Sequence, residues 1–253
     1  MATTGTLGAA ERHQHLLAAL ERSGAIRLAE SAAELGVSPM TVRRDLDELE
    51  AQGLLRKVRG GALSATGPRP FSERRAVRSR AKVFIADKAL ALIPNTGAIA
   101  LDASTTSGML GAKLSAKSRL TVATNSYENF VSLKGSRGVT AVLVGGEAEE
   151  NTDSFVGLIA CQAASSMLYY RFFTSASAVD PIHGTSEVSL QESQVKQSFA
   201  GVAKETILCI DSSKLDQQSV ALALPWSQIA IMVTELDPGD SRLDHYRVLV
   251  ELL

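Results

Sequence analysis

The stretch Ser38 to Gly53, SPMTVRRDLDELEAQG, constrains this chain more than any other. Ser38 is a good N-cap, and Pro39 suits a first helical turn, where its missing N–H costs nothing. Val42, Leu46 and Leu49 recur at spacings of four and three, which places them on one buried stripe of a helix. Met40, Arg43, Arg44 and Asp47 then fall on the opposite face. Thr41 and the two arginines crowd the N-terminal half, while Asp45, Asp47, Glu48 and Glu50 fill the rest, so the helix can enter a groove only by its first turns. Leu28 to Leu35, LAESAAEL, reads as a short preceding helix, with Gly36-Val37-Ser38 as the tight turn between the two. After Gly53, a natural helix stop, Leu54 to Leu63, LLRKVRGGAL, reads as a small hairpin containing Gly60 and Gly61. A capped amphipathic helix with two arginines could by itself be only that. A basic hairpin close behind it makes a recognition helix with a wing, and points to double-stranded DNA. The candidate DNA-binding residues are Ser38, Met40, Thr41, Arg43 and Arg44 on the helix, and Arg56, Lys57 and Arg59 on the wing.

A net charge of −1 is uninformative until its distribution is read. From Leu54 to Lys82 stand nine basic residues (Arg56, Lys57, Arg59, Arg69, Arg74, Arg75, Arg78, Arg80, Lys82) against one acid, Glu73. Such a local excess suits phosphate-backbone contact, the alternative for Arg69 to Lys82 being a solvated charged hinge. Cys161 and Cys209 are far apart in apolar surroundings and read as free core thiols of a reducing compartment. With His13, His15, His183 and His245 they form no ligand pattern, so neither a metal nor a cofactor is expected. Charges such as Asp87 and Lys88 interrupt every apolar run, and the first residues show no basic-then-apolar signal, so no membrane partner and a cytoplasmic location are expected.

Beyond the hairpin the pattern changes. Ser64 to Ser72, SATGPRPFS, reads as the linker, giving a winged helix-turn-helix domain over 1–63, a linker over 64–75 and an α/β domain over 76–253. Glu11 to Arg22 is a first helix under the helix-turn-helix pair, and Arg74 to Leu92 a helix opening the second domain. Strands are predicted at Ala98 to Leu101, Thr121 to Thr124, Val139 to Val144, Arg171 to Ser175, Thr206 to Ile210 and Ile229 to Val233, with a weaker one near Val248. Helices are predicted between most of them, at Thr105 to Leu114, Ser126 to Leu133, Phe155 to Met167 and Leu190 to Ala203. Short apolar strands alternating with helices predict a mostly parallel, doubly wound sheet.

In such sheets ligands bind beyond the carboxyl ends of the strands. The predicted ends carry Asp102-Ala103-Ser104-Thr105-Thr106, then Thr124-Asn125-Ser126, Gly145-Gly146 and Asp211-Ser212-Ser213-Lys214. Hydroxyls and backbone N–H groups at a helix start, glycines that let the backbone approach closely, and one ammonium suit a phosphate. Singly, each is also an ordinary cap, turn or bend. A second polar group, Asp180, His183, Glu187, Glu192 and Lys196, could contact sugar hydroxyls, or leave Glu192 and Lys196 as a surface i, i+4 ion pair. The candidate effector-binding residues are Asp102, Ser104, Thr105, Thr106, Asn125, Gly145, Gly146, Asp180, Glu187, Lys196 and Lys214.

The motifs VSPMTVRRDLDELE, RGGA, LDASTT, TNS, VGGE, QESQVK and DSSK, in this order, resemble the DeoR family of bacterial transcriptional regulators over nearly the whole chain. The resemblance implies a winged helix-turn-helix followed by a sensor domain similar to ribose-5-phosphate isomerase, and a repressor of a sugar-catabolic operon released by a phosphorylated sugar or related intermediate. It maps the family's recognition positions onto Thr41, Arg43 and Arg44, and its phosphate site onto Ser104, Thr105, Thr106, Asn125, Gly146 and Lys214. Two departures stand out: the family often has glycine at Ser104, and a glycine-rich segment where this chain has Thr174-Ser175-Ala176-Ser177-Ala178. The added side chains would narrow the pocket. Symmetric operators suit a two-fold protein, so a homo-oligomer, dimer or tetramer, is expected.

Two other functions compete with a ligand-released repressor. A sugar-phosphate isomerase-like enzyme with an accessory DNA-binding domain would need a general base, for which Asp102, Asp180 or Glu187 stand in reach of the strand ends, but no recognisable catalytic set appears. A DNA-binding protein without effector would use the second domain only to oligomerise.

Overall fold

The computed structural model describes residues 8–23, 25–51, 54–64, 71–114, 119–149 and 152–253. Gly53 and most of the stretch read as linker lie outside them. The chain divides into two compact units, Met1–Gly67 and Pro68–Leu253.

The first unit runs α1 (Ala9–Ser23), β1 (Ala25–Arg27), α2 (Leu28–Glu34), α3 (Pro39–Ala51), β2 (Leu55–Val58) and β3 (Gly61–Ser64). Val42, Leu46 and Leu49 are the buried stripe of α3, packed with Leu16 and Leu20 of α1, Ile26, Ala32, Leu55 and Ala62. The wing is three-stranded, in the order β1-β3-β2. Sequence reading missed β1, whose three residues carry too little pattern to register. It pairs with β3 because Gly61 has no side chain: a Cβ there would stand 1.7 Å from the Ile26 carbonyl oxygen.

In the second unit, α4 (Phe71–Ala76) and α5 (Ser79–Leu90) precede a seven-stranded sheet. Its strands are β4 (Gly97–Leu101), β5 (Leu120–Thr124), β6 (Val139–Leu143), β9 (Tyr169–Thr174), β12 (Ala203–Cys209), β14 (Ile231–Val233) and β15 (Glu251–Leu252). Every strand pair is parallel, in the order β15-β14-β12-β9-β4-β5-β6. Consecutive strand residues feed opposite faces: Phe172, Leu208 and Ala100 join one core, and Phe173, Ile207 and Ile99 the other. Burial on both sides explains why these strands read as continuous apolar runs. Helices α6 (Thr105–Gly111), α7 (Tyr127–Lys134), α8 (Gly157–Ala164), α9 (Leu190–Val202) and α10 (Asp244–Arg247) lie between strands. The order reverses between β4 and β9, so the topological switch point falls between Asp102 and Ser175.

Several boundaries differ from expectation. The predicted helix over Arg74 to Leu92 is two helices, broken where Arg78 adopts a left-handed φ of 51°. Helix α4 starts at Phe71, inside the predicted linker, and Phe71 is buried. Val83, though apolar, is exposed, and Lys82 takes the buried stripe with Ile85, Ala86 and Ala89. Two small antiparallel sheets escaped sequence reading: β7 (Glu147–Glu149) with β8 (Ser154–Val156), and β10 (Ala178–Asp180) with β11 (Gly184–Glu187) and β13 (Ala221–Leu222). Their strands are two to four residues long, too short for alternation to reveal.

Candidate functional site

In the first unit, Ser38 caps α3 as expected, its Oγ accepting from Thr41 N–H at 3.1 Å and lying 2.9 Å from Thr41 Oγ1. Met40, Arg43 and Arg44 are exposed on the face away from the core, and Arg59 is exposed at the wing turn. Two residues are placed differently from the sequence reading. Asp45 is buried, and its carboxylate takes a two-pronged grip from Arg12 of α1, at 2.7 and 2.8 Å. That pair locks α3 onto α1. Lys57, expected to reach DNA, instead pairs through Nζ with Asp47 and through its N–H with Glu50 at 2.8 Å, tying the wing to α3. Arg56 is half-buried and engaged within the protein.

In the second unit the carboxyl ends of β4, β9 and β12 converge on a buried polar cluster. Asp102 accepts from Ser104 N–H (3.0 Å), Ser107 Oγ (2.7 Å), Thr174 Oγ1 (2.8 Å) and Ser175 N–H (2.8 Å). The side chains that depart from glycine in this family are thus used: Thr174 braces Asp102, Ser177 Oγ donates to Glu187 at 2.7 Å, and Ser104 Oγ accepts from Ser107 N–H at 3.0 Å. Ser104 and Ser107 at the start of α6 therefore spend their hydroxyls on the strand-end loops. Lys196, from α9, donates to Asp102 (3.1 Å), Glu187 and the Ser175 carbonyl (2.7 Å). Burial alone would raise Asp102; Lys196 and the hydrogen bonds overcome it and hold Asp102 at about 2. Burial alone would lower Lys196; Glu187 and Asp102 outweigh it and raise it.

An ammonium has three donors. Those of Lys196 are matched by three acceptors, so it positions the two carboxylates and has nothing left to offer a ligand. Lys214 is different: it donates to the Ala176 carbonyl at 2.5 Å, with Ser175 Oγ distant at 3.5 Å. Among the described residues, Lys82 donates only to the Arg74 carbonyl. Both are depressed chiefly by burial; Lys82, lowered to about 8, is depressed next by the charge of Lys214, whereas for Lys214 the acids Asp211 and Glu187 oppose the effect of burial. Arg74 reaches the Ala103 carbonyl at 3.3 Å and the Thr152 carbonyl at 3.0 Å. At the end of β5, Asn125 donates to the Phe155 carbonyl at 3.0 Å, while its buried Oδ1 has no partner among the described residues.

The remaining expectations divide. Thr105 and Thr106 are buried at the cluster's edge, Thr105 Oγ1 lying 3.5 Å from the Arg74 carbonyl. Glu187 is in the cluster. Glu192 is no surface residue: buried, and raised chiefly by that burial, it accepts from Ser154, which is linked through Thr152 to Glu149. Asp180 is not in the cluster. It accepts from the N–H groups of Ile182 and His183 and from Gln218, so it holds the β10–β11 turn. Gly146 serves packing, because a Cβ there would meet the Val156 carbonyl at 2.5 Å; Gly145 borders open space. Arg74 and Lys82, read only as members of the basic stretch from Leu54 to Lys82, went unrecognised as neighbours of the strand-end cluster. The signal was present in Lys82, at the first position of an i, i+3, i+4, i+7 apolar stripe.

A winged helix-turn-helix joined to a doubly wound domain with a buried, cation-rich switch point defines a class of two-part transcription regulators. The chain belongs to the DeoR family: residues 12–67 match the DeoR-like helix-turn-helix domain and residues 77–236 the DeoR C terminal sensor domain. Curated relatives include the lactose phosphotransferase system repressors of Lactococcus lactis subsp. lactis (30% identical, covering 96% of this chain and 97% of that protein) and of Streptococcus mutans serotype c (31%, covering 95% and 98%). Among solved structures, ribose-5-phosphate isomerase A from Neisseria gonorrhoeae is similar at 15% identity and a TM-score of 0.36, over 55% of this chain and 53% of that one. Among the described residues no helix is long and apolar enough to cross a membrane.

Proposed function

We infer that this protein represses a sugar or sugar-derivative catabolic operon and is released from its operator by a phosphorylated sugar-type effector bound at the strand ends of the sensor unit. The observation that carries the reading is a mismatch of donors and acceptors. Lys82, buried, and Lys214, half-buried, are cations with more donors than the described residues supply acceptors, and Asn125 Oδ1 is a buried acceptor without a donor among them. A phosphate on the ammoniums and a sugar hydroxyl on the amide would satisfy both sides. The carboxylates in reach of isomerase chemistry are already committed, Asp102 and Glu187 to Lys196 and Asp180 to its turn, which argues against the enzymatic alternative. Relatives described as lactose phosphotransferase system repressors support the sugar assignment.

On the DNA side, Arg43 and Arg44 would face the major groove and Arg59 the backbone, with the protein acting as a dimer or tetramer on a symmetric operator. To switch occupancy strongly the effector must favour the non-binding state by several kcal/mol, about 5.5 for a shift from 99:1 to 1:99. The test is binding of the purified protein to DNA from its own promoter region, repeated with a panel of phosphorylated sugars and polyols. Release by one compound is expected, and Lys214→Ala should bind the same DNA yet resist release. Binding indifferent to every compound would leave the DNA half standing and remove the sensor half.

A further inference from the structure

The carbonyl of Arg74 is the acceptor that links the pocket to the start of the sensor unit. It belongs to the last turn of α4, where helix carbonyls have no intrahelical donor. Here the donors come from pocket groups: the Lys82 ammonium and, at 3.5 Å, the Thr105 hydroxyl. Just beyond, the left-handed Arg78 is pinned at 3.0 Å to Asp211 and at 2.9 Å to Ser212 Oγ, and to Glu235. Thus the α5 side of the break is tied to the ends of β12 and β14, whereas at the end of α4 the Arg74 guanidinium reaches the Ala103 and Thr152 carbonyls and the Arg74 carbonyl takes its donors from two groups that an anion would also attract. In chain order, α4 is the first element after the residues that join the two units.

We propose that the Arg74 carbonyl and the effector's phosphate compete for Lys82, so that filling the pocket withdraws the donor that holds the last turn of α4 and loosens the segment leading to the DNA-binding unit. The proposal rests on the pocket being a phosphate-type site and adds the residue through which occupancy is reported. Lys82 has the means to do so: it is buried on α5 beside Lys214, and its single acceptor among the described residues is that carbonyl. Lys196, saturated by Asp102, Glu187 and Ser175, has not.

The experiment is amide hydrogen exchange of the full-length protein, alone and with saturating inorganic phosphate or hexose and pentose phosphates, binding being scored separately by thermal shift. Binding should raise exchange across residues 71–78 by roughly tenfold, the loss of one charge-assisted hydrogen bond, while the core strands stay protected. Lys82→Gln keeps a donor for the carbonyl but not the charge. It should bind the anion roughly tenfold more weakly, keep residues 71–78 protected even when saturated, and stay on operator DNA. Binding by the unaltered protein with no change over 71–78, or normal release in Lys82→Gln, would overturn the coupling and leave the pocket standing. Failure of inorganic phosphate and every sugar phosphate to bind would remove the pocket and the coupling together.

Discussion

Replacing Lys196 by Met tests whether the polar cluster is a scaffold or a ligand contact. Met matches the length of the side chain, so the perturbation is loss of charge and donors rather than a cavity. It would strand Asp102 and Glu187, both buried, without their shared cation. Breaking a buried ion pair from one side costs about 3–5 kcal/mol. Asp102 retains donors from Ser104, Ser107, Thr174 and Ser175, whereas Glu187 keeps Ser177. For a unit of this size the cost corresponds to a midpoint lower by roughly 6–20 °C. The pH dependence has a definite sign. Asp102, held at about 2 against an ordinary 3.8, contributes stability above pH 3.8 that is lost as the pH falls through 2. Lys196, raised above 10.5, contributes stability that is complete below pH 10.5. Both contributions are therefore intact at pH 7 in the unaltered protein. In the variant the burial that raises Asp102 is no longer offset by Lys196, so the deficit should shrink from pH 7 to 5. Urea denaturation followed by fluorescence of Trp226, the single tryptophan, reports on the sensor unit alone. A deficit under about 1 kcal/mol at pH 7, or one that does not narrow on acidification, would refute the scaffold role.

Two further outcomes follow from the first unit. Arg44→Ala should weaken operator binding by about 1–3 kcal/mol if the residue reads a base, with unchanged thermal stability; unaltered affinity at physiological salt would take Arg44 off the reading surface. Gly61→Ala should destabilise the wing by about 1–3 kcal/mol or more, because its Cβ would overlap the Ile26 carbonyl at 1.7 Å. The check is a lowered transition of the DNA-binding unit with that of the sensor unit in place, and an unshifted first transition would contradict the packing.

The elements legible in the sequence were those whose apolar residues repeat over a full helix or fill a buried strand. Val42, Leu46 and Leu49 fixed α3, and the runs around Ile99, Val122, Phe172 and Ile207 fixed the parallel sheet. The strand-end loops were legible too, because an α/β sheet assigns them a place. What escaped was set by partners remote in sequence. Asp45 and Lys82 both occupy stripe positions, yet a charged residue there reads as surface until its partner is known, and Arg12 lies 33 residues from Asp45. The same distance effect hid the Glu149–Thr152–Ser154–Glu192 chain, whose last link crosses 38 residues. The pairing of Lys57 was hidden for a related reason: a basic wing residue suggests DNA, and only the hairpin's geometry sets it against Asp47.

The Arg12–Asp45 clamp has a consequence for how such a protein changes its target. Around α3 the anchoring positions 42, 45, 46 and 49 and the outward positions 40, 43, 44 and 47 occupy different angles. The orientation of the helix is written in one set and its message in the other. Substitutions at 40, 43 and 44 can therefore drift, or be swapped wholesale, without asking the hydrophobic core for permission. Position 47 is less free, since it also steadies the wing through Lys57. On the proposed reading of α3, operator preference is an exchangeable part mounted on a fixed bracket.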